Sequence, residues 1–258
     1  RWSSRPRGRS ADVAEGLTFS NPKVQRLRRL LGRRSARSEH GAFVVEGPGL
    51  VAEAVRAGWE IEGQYVAPGA SPIDGAGPAF ELAAGVMDRV ATTEHPQPVL
   101  AVVRMRAQPL AAVAAGRFLL VADRVADPGN LGTMLRSAEA AGAAGVVLTP
   151  GSVDPYNPKV VRSSAGAVFW VPVAVAGLAE LAGAGWPVVG TSSHHGDHYG
   201  SLRTPCAVVF GNEAHGLEPD VPVDSWITIP HHGRAESLNV AMAATVVCFS
   251  LAGGAEGS

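Results

Sequence analysis

Two cysteines in 258 residues, Cys206 and Cys248, are too few for a disulfide scaffold. Each sits in an apolar run, so both read as small buried hydrophobes rather than as a bridge or a metal pair. Long hydrophobic runs are missing as well: no stretch of about 18 apolar residues occurs without breakers, and the Arg- and Ser-rich front end has no apolar core of signal-peptide type. Export and membrane insertion gain no support, and the expectation is a reducing cytoplasm with no membrane partner. Charged residues make up only 17% and nearly cancel at −1, while 46% are hydrophobic, which suits one or two globular domains rather than a polyelectrolyte. Phosphate-cradling glycine patterns are also absent. No G-x-G-x-x-G follows the first strand of the C-terminal half and no G-x-x-x-x-G-K-[ST] occurs anywhere, so dinucleotide and triphosphate readings lose their main support.

The charge that is there lies unevenly. Residues 1–40 hold Lys23 and ten Arg against Asp12, Glu15 and Glu39, a net of +8 that leaves −9 for the rest. Residues 1–20 form a basic arm. Behind it, Asn21 to Arg34 reads as a basic amphipathic helix, with Val24, Leu27, Leu30 and Leu31 at helical spacing and Arg26, Arg29 and Arg33 on other faces. Such a front end is an electrostatic handle for phosphates, although Arg1 to Arg9 alone equally suit a solvated tail.

Strand, turn and helix follow in FVVEGPGLVAEAVRAGW (Phe43 to Trp59), then a strand near Gln64 to Ala67 and a helix-strand pattern through Val99 to Met105. A composition change with a proline over Arg106 to Arg117 marks a junction. From Phe118 strands alternate with helices. Strands are expected at FLLVAD, GVVLT, VPVAV, 187–190, 207–211 and 227–229, with helices over 131–141, 158–164, 178–181 and from Ser237 to about Leu251. The expected fold class is α/β with a mostly parallel sheet covered on both faces, whose ligands sit at the carboxyl ends of the strands.

Loops after Val189, Phe210 and Ile229 are rich in Gly, Ser, Thr or Asn. Backbone groups there can recognise an adenosine and an amino-acid tail without a charged side chain. In ADRVADPGNLGTMLRSAEAAGA, Asn130 is expected to cap a helix whose first N–H groups suit an anion such as an RNA phosphate. Arg136, about two turns in, would face the loop cluster. Alone, either motif would favour the plainer reading, Asn130 as only a cap and Arg136 as a surface residue. The clusters HHGDH (His194 to His198) and HHG (His231 to Gly233) lack a closed four-ligand spacing, and no metal is expected.

Taken in order, DPGNLGTMLRSA, PKVVRSSAGAVFWVPV, VVGTSS, VVFGNEAHGL and IPHHGRAESLNVA resemble the motifs of the SpoU/TrmH family of RNA 2'-O-ribose methyltransferases, in the SPOUT superfamily. FVVEGPGLVAEAV and HPQPVLAVVRM resemble the L30e-like substrate-binding domain that precedes the catalytic domain in ribosomal RNA members. The resemblance runs from about Asn21 to Gly253. It implies S-adenosyl-L-methionine as co-substrate, a deep C-terminal trefoil knot and a homodimer. It implies an RNA-binding domain over 21–105 and a catalytic domain over 118–258, with the basic arm read from charge over 1–20 and the linker read from composition over 106–117. Thr191, Gly211, Ile229 and Leu238 would line the donor pocket with Ser237 and Asn239 beside it, while Asn130, Arg136, Arg162 and Glu213 would stand on the RNA and catalytic side. Where many relatives carry Met after the Ile-Pro pair, this chain has His231.

A guanidinium with a pKa above about 12 rarely gives up its proton. Arg136 therefore reads as a phosphate anchor and stabiliser of the developing alkoxide, with its service as a base left open. Glu213 would orient Arg136 or Asn130, and Arg162 would touch RNA or a partner subunit. The two-domain layout with a basic helix ranks large-subunit (23S) ribosomal RNA first and transfer RNA second. A catalytically silent RNA-binding or ribosome-assembly protein would show erosion of Asn130, Arg136, Glu213 or Ser237-Leu238-Asn239, and all are intact.

Overall fold

The computed structural model describes residues 16–106, 108–113, 116–218 and 220–253. Residues 1–15 of the expected basic arm lie outside the described residues. Helix α1 (Pro22–Gly32) starts after Asn21, whose side chain accepts the Lys23 N–H, and buries Val24, Leu27, Leu30 and Leu31 as the spacing predicts. The expected continuation to Arg34 does not form. The chain is extended at Arg33 (φ −132°) and begins a second helix, α2 (Arg34–His40), which Gly41 ends in the left-handed region at φ 57°. The break is held by Arg37, whose Nη1 donates to the Leu30 carbonyl at 2.8 Å, capping the open last turn of α1.

Next come β1 (Ala42–Glu46), α3 (Pro48–Arg56), β2 (Ile61–Val66), β3 (Ala79–Glu81), α4 (Val86–Val90) and β4 (Val99–Arg104). They form a sheet of order β1-β4-β2-β3, in which β4 runs antiparallel to both neighbours and β2 pairs with β3 in parallel.

The rest of the chain runs α5 (Leu110–Val113), β5 (Phe118–Ala122), α6 (Pro128–Ala140), β6 (Gly145–Leu148), α7 (Pro158–Ser163), β7 (Val173–Val175), α8 (Leu178–Gly183), β8 (Val188–Thr191), β9 (Asp197–His198), β10 (Cys206–Phe210), β11 (Ser225–Thr228) and α9 (Val240–Gly253). Its seven strands lie in the order β7-β6-β5-β10-β8-β11-β9, and every pairing is parallel. The unbroken apolar runs of β5 and β10 suit such a sheet, because both of its faces are buried. The chain steps outward through β5, β6 and β7. It then returns to lay β8 on the far side, and only later fills the gap between β5 and β8 with β10. That reversal is a topological switch point, where strand ends part into a crevice.

One face of this sheet packs Leu119, Val121, Val147 and Val209 against Leu181 and Trp186. The other packs Leu120 and Val208 against Met134, Leu135 and Val247, and its core continues into the N-terminal sheet through Phe43, Val45 and Val103. At this joint Phe43, Trp59, Tyr156 and Phe169 meet with ring centroids 4.6–6.4 Å apart. Arg37 Nε also donates to Asp154 Oδ2 across the joint at 2.7 Å, with both side chains buried. Buried Glu46 accepts from Thr93 Oγ1 at 2.6 Å and from Arg162 Nη1 at 3.4 Å. Cys206 and Cys248 are buried and free, their thiols pushed up to about 11 and about 12 by burial, in line with their hydrophobic surroundings. Among the described residues no helix is long and apolar enough to cross a membrane.

Candidate active site

The crevice at the switch point is a cavity of about 770 Å³, inside the range of roughly 300–1,000 Å³ usual for small-molecule sites. Its walls come from the carboxyl ends of β8, β10 and β11 and from the loops that follow them. Thr191, Gly211, Ile229, Ser237, Leu238 and Asn239 all line it, and so do Asn130 and Glu213. Eight residues predicted from four motifs therefore line one cavity.

Close backbone packing shapes the loop after β10. At Gly211 a Cβ would drive into the backbone of Gly216 and Leu217, and Gly216 itself sits at φ 67°. Both ends of this loop are tied to Arg124, which follows β5 in a left-handed conformation at φ 52°. Its carbonyl accepts from Asn212 Nδ2 at 2.9 Å, and its Nη1 donates to Glu218 Oε1 at 3.0 Å. Thr191 Oγ1 donates to the Val209 carbonyl at 2.8 Å, fastening the end of β8 to β10.

A polar series runs through the wall. Asn239 Nδ2 donates to Asn130 Oδ1 at 3.0 Å, and Asn130 Nδ2 donates to Glu213 Oε1 at 3.0 Å. The Glu213 carboxylate also accepts the N–H groups of Asp127 at 2.9 Å and Ala126 at 3.1 Å. Burial pushes the Glu213 carboxyl up, but the bonds from Asn130, Asp127 and Ala126 outweigh it and hold the group below the usual carboxylate range. A carboxylate so engaged fixes the Asn130 amide and is a poor proton acceptor.

The structure corrects two expectations here. Asp127, not Asn130, caps α6: Asp127 Oδ1 accepts the Asn130 N–H at 2.9 Å, and Pro128 opens the helix. That leaves the Asn130 side chain free for the series with Glu213 and Asn239. Asp127 is held below its ordinary range first by that backbone bond, so the helix start carries carboxylates and does not suit a phosphate. Helix α9 begins at Val240 rather than Ser237, because Asn239 Oδ1 accepts the N–H groups of Ala241 at 2.9 Å and Met242 at 3.3 Å. Ser237 and Leu238 thereby stay in the loop that walls the pocket.

The basic residues stand elsewhere. Arg136 is exposed on α6 and is not part of the cavity wall. Arg162 donates to Thr92 Oγ1 at 2.8 Å and pairs with Glu46. Arg26 grips Glu62 through two bonds of 2.5 and 3.2 Å, which hold the guanidinium pKa up, while Arg29 and Arg33 are exposed. His194 and His195 of the HHGDH cluster line the cavity too, as do Asn212, His215, Leu217 and Trp226, which the sequence reading did not assign to it. Trp226 stands against Gly190, where a Cβ would lie 2.9 Å from its ring, so the Gly between Val189 and Thr191 was the available signal. Among the described residues no three His, Cys, Asp or Glu side chains converge as a metal-holding group.

S-adenosylmethionine fits these residues. Small hydroxyl and amide groups line the cavity together with Leu217, Ile229 and Leu238, and His231 lines it too, with its Nε2 buried and without a hydrogen-bond partner. An all-parallel α/β sheet with such a strand-end pocket, walled without lysine or arginine among the described residues, is the architecture of a protein that holds a small ligand at its strand ends without a cationic side chain. The model of the SpoU rRNA methylase family matches residues 117–249, and that of the MRM3-like substrate binding domain matches residues 21–101. The chain belongs to the SpoU rRNA methylase family and is an S-adenosylmethionine-dependent RNA methyltransferase.

The 23S rRNA (guanosine(2553)-2'-O)-methyltransferase RlmP of Bacillus subtilis is 34% identical, covering 90% of this chain and 97% of its own. A 23S rRNA (uridine(2479)-2'-O)-methyltransferase of Streptomyces viridochromogenes is 33% identical over 95% of this chain and 94% of its own. The crystal structure of the SpoU methyltransferase AviRb from Streptomyces viridochromogenes, in complex with AdoMet, superposes with a TM-score of 0.83 at 29% identity, covering 92% of this chain and 99% of that one.

Proposed function

We propose that this enzyme transfers a methyl group to the ribose 2'-oxygen of large-subunit (23S) ribosomal RNA. The observation that carries the reading is the Asn239–Asn130–Glu213 series on the wall of the donor pocket. The two relatives above, by their names, modify 23S ribosomal RNA at that oxygen. S-adenosylmethionine, when bound, supplies an already activated methyl, so the protein has to place the 2'-OH and handle its proton. Placement in line can be worth an effective molarity of about 10^5 M or more. In this reading Thr191, Gly211, Ile229, Ser237 and Leu238 hold the donor, with water excluded by Leu217 and Leu238. Glu213 fixes the Asn130 amide, and Asn130 with Asn239 forms the polar edge that positions the ribose. Arg136 anchors a phosphate and stabilises the developing alkoxide.

A homodimer completes this proposal. Helix α9 has no charged residue, and Met242, Val246 and Phe249 form an exposed stripe at helical spacing along it. That stripe is where a second copy seats. Ser137 and Thr245 hydroxyls, 2.6 Å apart, tie α6 to α9, so a copy on the stripe also meets α6 and its Arg136. Arg136 then serves a site built from two protomers. The reading includes a trefoil knot between β8 and α9, supported by the late insertion of β10 beside β5. Residues 21–105 act as the RNA-gripping unit, with Arg29 and Arg33 as phosphate contacts, Arg26 steadied for that role by Glu62, and Arg162 joining this unit to the catalytic residues 118–258. The setting is the cytoplasm, where ribosomal RNA is made available to such enzymes.

The test is transfer of labelled methyl from S-adenosylmethionine to purified ribosomal RNA and, separately, to bulk transfer RNA. Label in ribosomal RNA that resists alkaline hydrolysis is expected, because a 2'-O-methyl blocks cleavage at its own linkage. Label only in transfer RNA would replace the substrate, and no label in either would favour a silent RNA-binding protein. Light scattering should return the mass of two chains.

A further inference from the structure

The polar side chains of the donor pocket are mostly engaged within the protein. Thr191 bonds the Val209 carbonyl, Ser192 Oγ pairs with His195 Nδ1 at 3.0 Å, and Asn212 bonds the backbone on both sides of its loop. Asn130, Glu213 and Asn239 engage one another. His231 differs. It lines the same cavity, yet its Nε2 is buried and has no hydrogen-bond partner, the sole such side-chain atom among the described residues. Folded proteins seldom keep a buried polar atom unpaired, since its lost hydration is not replaced.

We propose that His231 Nε2 is a donor-holding group, paired only when S-adenosylmethionine is bound. The proposal rests on the methyltransferase reading. Lysine and arginine are absent from the cavity wall among the described residues, so the carboxylate of the donor must be met by neutral groups, while its ribose hydroxyls need acceptors. An imidazole nitrogen accepts from a hydroxyl or donates to a carboxylate according to its tautomer. Because Nε2 is closed off in the free protein, engaging the ligand requires the ring to turn, and it sits on a segment, residues 229–239, without regular secondary structure. The free protein therefore carries an unfavourable contact that the ligand relieves, so stability and affinity pull in opposite directions at this residue.

Full-length His231→Phe and His231→Gln are compared with the unaltered protein by thermal melting without ligand and by calorimetric titration with S-adenosylhomocysteine. His231→Phe keeps an aromatic ring and removes both ring nitrogens. It should melt at or above the unaltered protein, while its affinity falls about ten-fold, the usual scale for one hydrogen bond. His231→Gln, with polar atoms at similar reach, should stay within about three-fold. Titration with 5'-methylthioadenosine, which lacks the amino-acid tail, tells which end is held: an equal loss assigns the nucleoside, an unchanged affinity the tail. Unchanged binding of S-adenosylhomocysteine by His231→Phe overturns the proposal, as does a lower melting temperature alongside weaker binding, which marks a structural role. No binding by the unaltered protein would instead remove the functional reading itself, and the proposal with it.

Discussion

The joint between the two sheets and the wall of the donor pocket use similar polar side chains to opposite ends. At the joint every charge closes on another part of the fold. Arg37 meets Asp154, Arg162 meets Glu46, and four aromatic rings fill the space between. In the pocket the polar groups are strung along loops, from Asn239 through Asn130 to Glu213, and one nitrogen is left over at His231. The difference teaches where rigidity is placed. Buried pairs and rings remove freedom between the N-terminal sheet and the parallel sheet, so whatever the first grips is presented to the second in a fixed register. On the pocket side, residues 229–239 carry no regular secondary structure.

Breaking the joint should have the largest effect. Arg37→Ala leaves Asp154 buried without its cation and should cost about 4 kcal/mol in denaturant unfolding. Arg162→Ala should cost less, because its bond to Glu46 is longer and its side chain is 30% exposed. Equal losses would mean the joint is not held by ion pairing. On the pocket side, Arg136→Ala should lower turnover about 100-fold, about 3 kcal/mol, with unchanged donor affinity. Lost donor affinity in that variant would place Arg136 in the pocket wall after all. Gly211→Ala should weaken donor binding about ten-fold, about 1.4 kcal/mol, with little change at the joint. Titration calorimetry that found normal affinity would show that the loop can shift to admit a methyl group.

The smallest effect concerns pH. Glu213 and Asp127 titrate below their ordinary values in the folded protein. Their contribution to stability is whole above the ordinary carboxylate range, about 4, and is lost as pH falls through the depressed values. Both groups are largely open to solvent, so the loss should stay below about 1 kcal/mol. The unfolding midpoint of Glu213→Gln, followed from pH 7 to pH 3, should fall less steeply than that of the unaltered protein.

The parallel sheet was legible because short apolar runs such as FLLVA and CAVVF alternate with helical stretches, the pattern of doubly buried parallel strands. The pocket was legible because the family motifs carry Thr191, Gly211 and Leu238 directly. Joint residues were not. Arg37 and Asp154 stand 117 positions apart, in segments with no local signal that they meet. Helix limits failed for a related reason: Asn239 competes for the first N–H groups of α9, and Arg37 reaches back to α1, and both are choices made by side chains in three dimensions. Periodicity placed Arg136 on a helix, but its side-chain surroundings depend on packing that spacing alone does not encode.

Arg124 has a mechanical consequence. The loop from Asn212 to Glu218 stands with both feet on this one residue, its first on the carbonyl and its last on the guanidinium. A displacement of the end of β5 therefore carries both ends of the span along. Glu213 rides on that span and reaches back to the N–H groups of Ala126 and Asp127, just beyond Arg124. Strand end, loop and the first turn of α6 thus form a small closed truss, and through Asn130 it also holds Asn239, the last residue before α9.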